Sequence, residues 1–217
     1  MIHQQQVKLI TITPDAGNLI AYCARVSNPS NQENFDTAPK LLKYMIKNNH
    51  WSPFEMAHMV VEINTTRDIA RQILRHRSFS FQEFSQRYSD QIEFSTPREA
   101  RTQDTKNRQN SVPTYQDDIV KWWREVQEEA IRWANNTYFE AIAKGVAKEV
   151  ARTILPEGLT QSRLYMAGSI RSWIHYYQLR SSNGTQKEHQ IIADQIGGIL
   201  KEQLPSIWEA IKLYETE

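Results

Sequence analysis

The sequence contains few of the residues and patterns that most readily identify a function. Cys23 is the only cysteine among 217 residues, so no disulfide framework and no cysteine-based zinc site can form within the chain. Seven glycines occur, and none of them form G-x-G-x-x-G or a P-loop. No stretch approaches the roughly 20 apolar residues that span a bilayer, and residues 1–10 lack the pattern of a signal peptide. A lone cysteine is typical of a reducing compartment, so these absences predict a cytoplasmic protein without a membrane partner.

The chain also lacks an excess of charge of either sign. It carries 26 basic and 25 acidic residues, which gives a net charge of +1. So even a balance argues against a general nucleic-acid coat and against a polybasic membrane anchor. Any dense group of arginines is therefore a local feature.

Hydrophobic periodicity predicts an α+β domain over residues 1–217, with a small mixed or antiparallel sheet covered by helices and no Rossmann fold. The C-terminal half is predicted to be helical. The longest helix, at 114–144, carries a broad apolar stripe that includes Trp122, Val126 and Trp133. Segment 95–113 is polar and uneven, which is typical of a lid, a binding loop or a partly disordered stretch. Strands are predicted at 6–13, 58–65, 87–94 and 159–168, and further helices at 15–27, 37–49, 66–76, 146–155, 169–180, 186–204 and 205–214.

Residues 75–89 form the densest group of ligand-binding side chains in the chain. Three arginines, a histidine, a glutamate and four serines alternate there with Phe79, Phe81, Phe84 and Tyr88. Guanidinium forks bind phosphate and carboxylate oxygens two at a time, and hydroxyls add neutral donors. The pattern predicts a site for a ligand that has both a phosphate and a flat ring. Two alternatives are a solvated basic helix end and a single-stranded nucleic-acid module that stacks bases on these aromatics.

Other chemistry-bearing residues allow weaker interpretations. Cys23 lies on an apolar helical stripe and is predicted to be a buried structural residue. His50, Glu55 and His58 match no zinc signature, so no metal site is predicted, although His50 and Glu55 lie with Ser52 on a loop suited to ligand contact. No G-x-S-x-G surrounds Ser80, Ser85 or Ser89, which disfavours a hydrolase nucleophile. For four scattered arginines the residues alone leave exposure and ligand binding equally open: Arg152, Arg163, Arg171 and Arg180.

One string in this region resembles the signature of flavin-dependent thymidylate synthases. R-H-R-x-x-S-x-x-x-x-S-x-R, starting at Arg75 and ending at Arg87, matches at all six fixed positions. Four other segments follow in the family's order and at its approximate spacing, so the resemblance covers most of the chain. These are Ala24-Arg25-Val26-Ser27, His50-x-Ser52-Pro53-Phe54-Glu55, Glu149-Val150-Ala151-Arg152-x-x-Leu155-Pro156, and Arg171-Ser172 with Leu179-Arg180.

The resemblance implies a methyltransferase of nucleotide biosynthesis. Members of this family transfer a methylene group from 5,10-methylenetetrahydrofolate to C5 of dUMP and reduce it with a hydride from FADH2. NADPH re-reduces the flavin, and the products are dTMP and tetrahydrofolate. The family forms homotetramers whose active sites lie at subunit interfaces, and it uses neither nucleic acid nor a membrane as partner.

The same resemblance implies roles for individual residues. Arg180 would be catalytic, because a fixed guanidinium can stabilise negative charge on the N3–O4 side of uracil and so activate C5 without attack by a thiol. The residues carried over for dUMP are Gln72, Arg75, Glu83, Ser85, Gln86, Arg87, Arg152 and Arg180. Those carried over for FAD are Ser27, His50, Ser52, Glu55, Arg75, His76, Arg77, Glu83, Ser169, Arg171 and His175.

Overall fold

Four antiparallel strands form the central sheet of this computed structural model, which describes residues 5–214. The six strands are β1 (Gln6–Ile12), β2 (His58–Thr66), β3 (Ser80–Glu83), β4 (Arg101–Gln103), β5 (Ser111–Pro113) and β6 (Gln161–Ser169). The central sheet has the order β1-β2-β6-β3, and β4 pairs with β5 in a separate hairpin. Every pairing is antiparallel. The predicted α+β class with a small sheet and no parallel Rossmann arrangement is confirmed.

Helices cover this sheet and make up most of the C-terminal half. They are α1 (Ala16–Ala24), α2 (Ala38–Lys47), α3 (Arg67–Ile73), α4 (Asp117–Ala143), α5 (Lys148–Ala151), α6 (Ile170–Arg180), α7 (Lys187–Gln203) and α8 (Pro205–Tyr214). Short 3-10 helices span Pro29–Asn31, Phe35–Thr37, Ser52–Met56 and Arg152–Ile154. All eight α-helices fall on segments that hydrophobic periodicity predicts as helical.

The main core lies between one face of the sheet and helices α1, α2, α3, α6, α7 and α8. On β2 alternate side chains point inward, so Met59, Val61 and Ile63 are fully buried. Trp173 of α6 packs there and donates its indole N–H to the Met59 carbonyl at 3.0 Å. Strand β2 and helix α6 are therefore fixed to each other close to the turn that follows α3.

Close packing also fixes this turn. Phe79 packs edge-on against Trp173, with ring centroids 4.7 Å apart. A Cβ at position 168 would collide with the Phe79 ring, so only glycine fits there. The aromatic contact thus orients residues 75–79 on the end of α6.

Helix α4 differs from the prediction in the face that it buries. Ala134 and Tyr138 pack with Ala151 and Leu155 in a small second core. The apolar stripe of α4 remains largely exposed, although such a stripe usually faces a core. The exposed fractions are 59% for Trp122, 37% for Val126 and 58% for Trp133.

Three further predictions need correction. Residues 87–94 form no strand, because the sheet edge beside β6 is occupied by β3, and only Phe94 makes an isolated bridge, to Thr160. Segment 95–113 is not an open loop throughout, since it contains the β4–β5 hairpin. Cys23 is half-buried rather than buried.

Within residues 5–214, every helix is either too short or too polar to form a membrane span. The sequence interpretation of residues 1–10 falls partly on residues 1–4, which lie outside the described residues.

Candidate functional site

Residues 75–77, which follow α3, point in different directions. Arg75 and Arg77 are exposed, whereas His76 is half-buried between α3 and α6. The His76 ring packs edge-on against Tyr176 at 4.8 Å and near Phe79 at 6.4 Å. The turn therefore presents two cationic forks to solvent and directs one imidazole toward the protein.

His76 receives a hydrogen bond from the predicted catalytic arginine. Nε of Arg180, the last residue of α6, donates to Nε2 of His76 at 2.9 Å. Burial, together with the charges of Arg180 and Arg75, lowers the pKa of His76 to about 4. The imidazole is therefore neutral at pH 7 and able to accept this bond. The bond uses only one nitrogen of the Arg180 guanidinium, and no hydrogen bond from either Nη group is found in the described part of the chain.

A polar cavity of about 470 Å³ is lined by four of the eight residues predicted to bind dUMP: Glu83, Ser85, Gln86 and Arg152. Sequence reasoning did not assign three charged residues that line it as well, namely Arg67, Arg71 and Glu157. Among these three, only Arg71 carried a sequence signal, because it lies four residues before Arg75 in the segment predicted to be helical at 66–76.

Internal partners already occupy some of the charges in this cavity. Arg71 donates to Oε1 of Glu157 through Nε at 3.2 Å and Nη2 at 3.0 Å. The Ser162 hydroxyl donates to Glu83 at 2.7 Å. Arg152 has no described ion pair or hydrogen bond from its guanidinium among residues 5–214, so its charge is available for an anion. Outside the cavity, Arg87 is exposed and lies 3.4 Å from Glu149.

The predicted flavin residues gather on a second surface, formed by the 3-10 helix Ser52–Met56 and α6. Arg171 Nη1 donates to Oε1 of Glu55 at 2.7 Å. A hydrogen bond from Ser169 and this one from Arg171 hold the pKa of Glu55 below its usual value. His175 packs edge-on against Trp51 at 4.7 Å, and burial lowers its pKa. His50 packs against Tyr44 at 5.8 Å.

Not every predicted residue joins these groups. Ser27 is exposed after α1, and no described contact links it to Glu55 or Arg171. In the described residues, no hydrogen bond, ion pair or ring contact joins Arg180 to Arg152 or Ser85. Among residues 5–214, the predicted site residues therefore form three surfaces that no described contact joins: the cavity, the His76–Arg180 pair and the Glu55–Arg171 face.

The aromatics of segment 75–89 do not form a stacking surface for bases. Phe79 is buried and Phe81 packs against the main core. Phe84 is half-buried, and only Tyr88, at 88% exposure, presents a free ring. Single-strand binding modules need several exposed rings in series, so this geometry disfavours the nucleic-acid alternative.

Comparison with known proteins gives a consistent result. A family model described as "Thymidylate synthase complementing protein" matches residues 8–206. A probable flavin-dependent thymidylate synthase of Paramecium bursaria Chlorella virus 1 is 51% identical over 211 residues, which cover 94% of this chain and 97% of the relative. A flavin-dependent thymidylate synthase of Synechocystis sp. is 53% identical over 194 residues, covering 89% of this chain and 88% of the relative.

The fold has a solved counterpart. The crystal structure of a UMP/dUMP methylase from Streptomyces cacaoi, bound with 5-Br dUMP, superposes with a TM-score of 0.85. The alignment covers 98% of this chain and 96% of that one, at 23% sequence identity. Because the sequence identity is this low, the superposition supports a shared fold alone.

Proposed function

We propose roles for individual side chains of this member of the flavin-dependent thymidylate synthase family in the conversion of dUMP to dTMP. The reaction replaces the hydrogen at C5 of the uracil ring by a methyl group, and the enzyme is therefore a methyltransferase. We take 5,10-methylenetetrahydrofolate as the carbon donor, FAD as the flavin and NADPH as its reductant. Tetrahydrofolate is then the second product.

The donor set of the Glu55–Arg171 face and the neighbouring turn fits a flavin dinucleotide. Arg75, Arg77 and Arg171 offer cationic forks for a pyrophosphate, and His50, Ser52 and His175 add further hydrogen-bonding groups. The bound flavin would supply the hydride that converts the transferred methylene group to methyl. The full set proposed to hold it is Ser27, His50, Ser52, Glu55, Arg75, His76, Arg77, Glu83, Ser169, Arg171 and His175.

The 470 Å³ cavity would hold the phosphate end of dUMP. Arg152 is the best candidate for the principal phosphate ligand, because its guanidinium has no described acidic partner and shares the cavity with Ser85. Glu83 and Gln86 would contact the nucleotide from the same cavity. Gln72, Arg75, Arg87 and Arg180 complete the proposed dUMP set.

Arg180 would activate the pyrimidine, and this assignment depends on its hydrogen bond to a neutral His76. The bond fixes the plane of the guanidinium through Nε and leaves both Nη groups for a ligand. A cation held rigidly in a partly buried site stabilises negative charge on an adjacent ring without reorganisation. C5 of uracil then gains electron density without covalent addition of Cys23 at C6.

A homotetramer would bring the three surfaces together. Within the described residues of one chain no contact joins these three surfaces, and α4 presents an exposed aromatic stripe that includes Trp122 and Trp133. Large exposed apolar patches of this kind mark protein–protein interfaces, and most homo-oligomers are closed and symmetric. We propose that copies of this chain pack through α4, and that each chain contributes one catalytic domain.

The decisive experiment follows the hydrogen at C5. Purified protein is incubated with dUMP tritiated at C5, and tritium release and dTMP formation are measured with methylenetetrahydrofolate, FAD and NADPH, each omitted in turn. We expect dTMP only in the complete mixture, together with a flavin absorption band in the holoenzyme. Full activity without flavin would contradict the proposal, as would a covalent bond between dUMP and Cys23.

A further inference from the structure

A chain of hydrogen bonds links Gln72 to the buried Tyr176 and His189 on one side and to the nearly buried Glu188 on the other. The Tyr176 hydroxyl lies 2.9 Å from Nε2 of His189, and Nδ1 of His189 lies 3.2 Å from Oε1 of Gln72. The Gln72 amide donates through Nε2 to Oε1 of Gln186 at 2.7 Å, and Gln186 Nε2 donates to Glu188 at 2.9 Å. His189 and Tyr176 are essentially inaccessible to solvent, at 0% and 1% exposure.

The Glu188 carboxylate, at one end of this hydrogen-bond chain, sets the direction of every hydrogen bond in it. A carboxylate only accepts hydrogen bonds, so Gln186 must turn its amide nitrogen to Glu188 and its oxygen to Gln72. Gln72 must then donate to Gln186 and turn its own oxygen to His189. His189 consequently carries its proton on Nδ1 and accepts the Tyr176 proton at Nε2. Burial lowers the pKa of His189 to about 3, which agrees with one neutral tautomer.

Segment 98–101 holds Glu188 in place from the other side. Arg101 on β4 forms an ion pair with the nearly buried Glu188. On the same segment Arg98 pairs with Asp68 at the start of α3 at 2.7 Å, and Glu99 pairs with Lys187 of α7. This part of the predicted lid is therefore fixed to α3 and α7, two of the three helices that carry the hydrogen-bond chain.

We propose that Glu188, acting through Gln186, is a positioning residue that fixes the orientation of the Gln72 amide for binding dUMP. This inference rests on the proposed function, in which Gln72 contacts the nucleotide. Each Gln72 orientation offers dUMP a different pattern of N–H and C=O groups. A single enforced orientation therefore decides which pattern the nucleotide meets.

Removal of the charge at position 188 should release this order without removing the side chains. A glutamine there can donate or accept, so both amides can rotate by 180° and His189 can change tautomer. The donors and acceptors of the hydrogen-bond chain could then be arranged in either direction. Because a hydrogen bond to a charged group is worth more than a neutral one, we expect Glu188→Gln to raise the KM for dUMP about tenfold, with little change in kcat.

The test compares five variants of the flavin-loaded enzyme by tritium release from C5-labelled dUMP. Glu188→Gln removes the negative charge that orders the hydrogen bonds. Gln186→Met breaks the hydrogen-bond chain, while the Arg101–Glu188 ion pair remains. The double variant Gln72→Met/Glu188→Gln, compared with the single variant Gln72→Met, tests whether Glu188 acts through Gln72. Glu99→Gln is the matched control, since it removes ion pairs of segment 98–101 without altering the chain.

We expect a similar rise in KM for Glu188→Gln and Gln186→Met, a normal KM for Glu99→Gln, and no added effect of Glu188→Gln once Gln72 is methionine. An unchanged KM in Gln186→Met would overturn the inference even if Glu188→Gln does not fold. Additive effects in the double variant would overturn it as well. Failure of the proposed function would instead appear as a wild-type enzyme that makes no dTMP.

Discussion

Arg180 and His76 lie 104 residues apart in the chain, and one hydrogen bond of 2.9 Å joins their side chains. The bond requires an unprotonated imidazole, because Nε of arginine is a donor and never an acceptor. Burial and two neighbouring guanidinium charges keep His76 in this state. The histidine of the Arg-His-Arg triplet therefore orients the arginine proposed to activate uracil.

Replacement of Arg180 by lysine should abolish most thymidylate synthesis while the fold and the flavin are retained. An ammonium group cannot donate to His76 and simultaneously present a planar pair of donors to a pyrimidine. We expect kcat to fall by roughly a hundredfold or more, as for removal of one charge-stabilising donor in other enzymes. The measurement is dTMP formation together with the flavin absorption of the purified variant.

Arg163→Lys is the control, because Arg163 is exposed on β6 away from this pair. Near-normal turnover of the Arg180→Lys enzyme would refute the role assigned to Arg180.

Two neutral histidines, the half-buried His76 and the buried His189, should make the protein less stable in mild acid. Unfolded histidine has a pKa of 6.5, whereas the pKa is about 4 for His76 and about 3 for His189 in the folded protein. The unfolded chain therefore binds more protons below pH 6.5, and stability falls as the pH is lowered from 6.5 toward 4. Each histidine contributes at most about 1.4 kcal/mol per pH unit in that window.

Urea unfolding between pH 7.5 and 5 measures this dependence. His189→Gln should flatten the slope, whereas His58→Gln should not, because His58 is exposed at the start of β2. A slope that His189→Gln leaves unaltered would argue against a buried, neutral His189.

The helices were predictable from sequence because each one buries a face with the period of an α-helix. The sequence predictions that were wrong have a common cause, because each depends on what a segment packs against. Residues 87–94 have extended character, but β3 at Ser80–Glu83 already occupies the free edge of β6. The stripe of Trp122 and Trp133 has helical spacing, and no pattern within α4 states whether its partner is the same chain or another.

Candidate site residues could be named individually from the sequence, because the spacing from Arg75 to Arg87 resembles that of a family, and their roles stay predictions. Their arrangement could not, because the contacts that create it span long separations in the chain. His189 and Gln186 carried no signal, since a histidine and a glutamine near the start of an amphipathic helix are unremarkable until Gln72 is placed beside them. Arg67 and Glu157 likewise line the cavity only once α3 and the end of segment 152–157 come together.

Arg152→Gln should weaken dUMP binding far more than it affects flavin content. Loss of a charge-assisted bond to phosphate costs roughly ten- to hundredfold in affinity. The same change should leave the weaker affinity for deoxyuridine unaltered, because the nucleoside has no phosphate. Titration calorimetry with both ligands checks this, with Arg163→Gln as a control of equal charge change. Equal losses for dUMP and deoxyuridine would assign Arg152 to a part of the nucleotide other than its phosphate.

Cys23→Ala should leave thymidylate synthesis within about twofold of the wild type, as is usual for a half-buried side chain outside a site. The route proposed for Arg180 requires no thiol. Steady-state kinetics and mass spectrometry of the enzyme with dUMP give the check. A folded, flavin-loaded variant without activity would restore the cysteine as a nucleophile.

The aromatic stripe of α4 should control assembly and, through it, activity. Trp122, Val126 and Trp133 lie on one face of the helix, and a glutamate at 122 and 133 would place two charges in a buried apolar contact. We expect Trp122→Glu/Trp133→Glu to reduce the mass in light scattering from four times the chain's 25.4 kDa to a smaller species. Arg132→Glu adds an acidic residue on another face of α4 and should leave the mass unchanged. Because the cavity, the His76–Arg180 pair and the Glu55–Arg171 face are separate in one chain, the smaller species should also lose dTMP formation. A fully active monomer would show that one chain completes its own site.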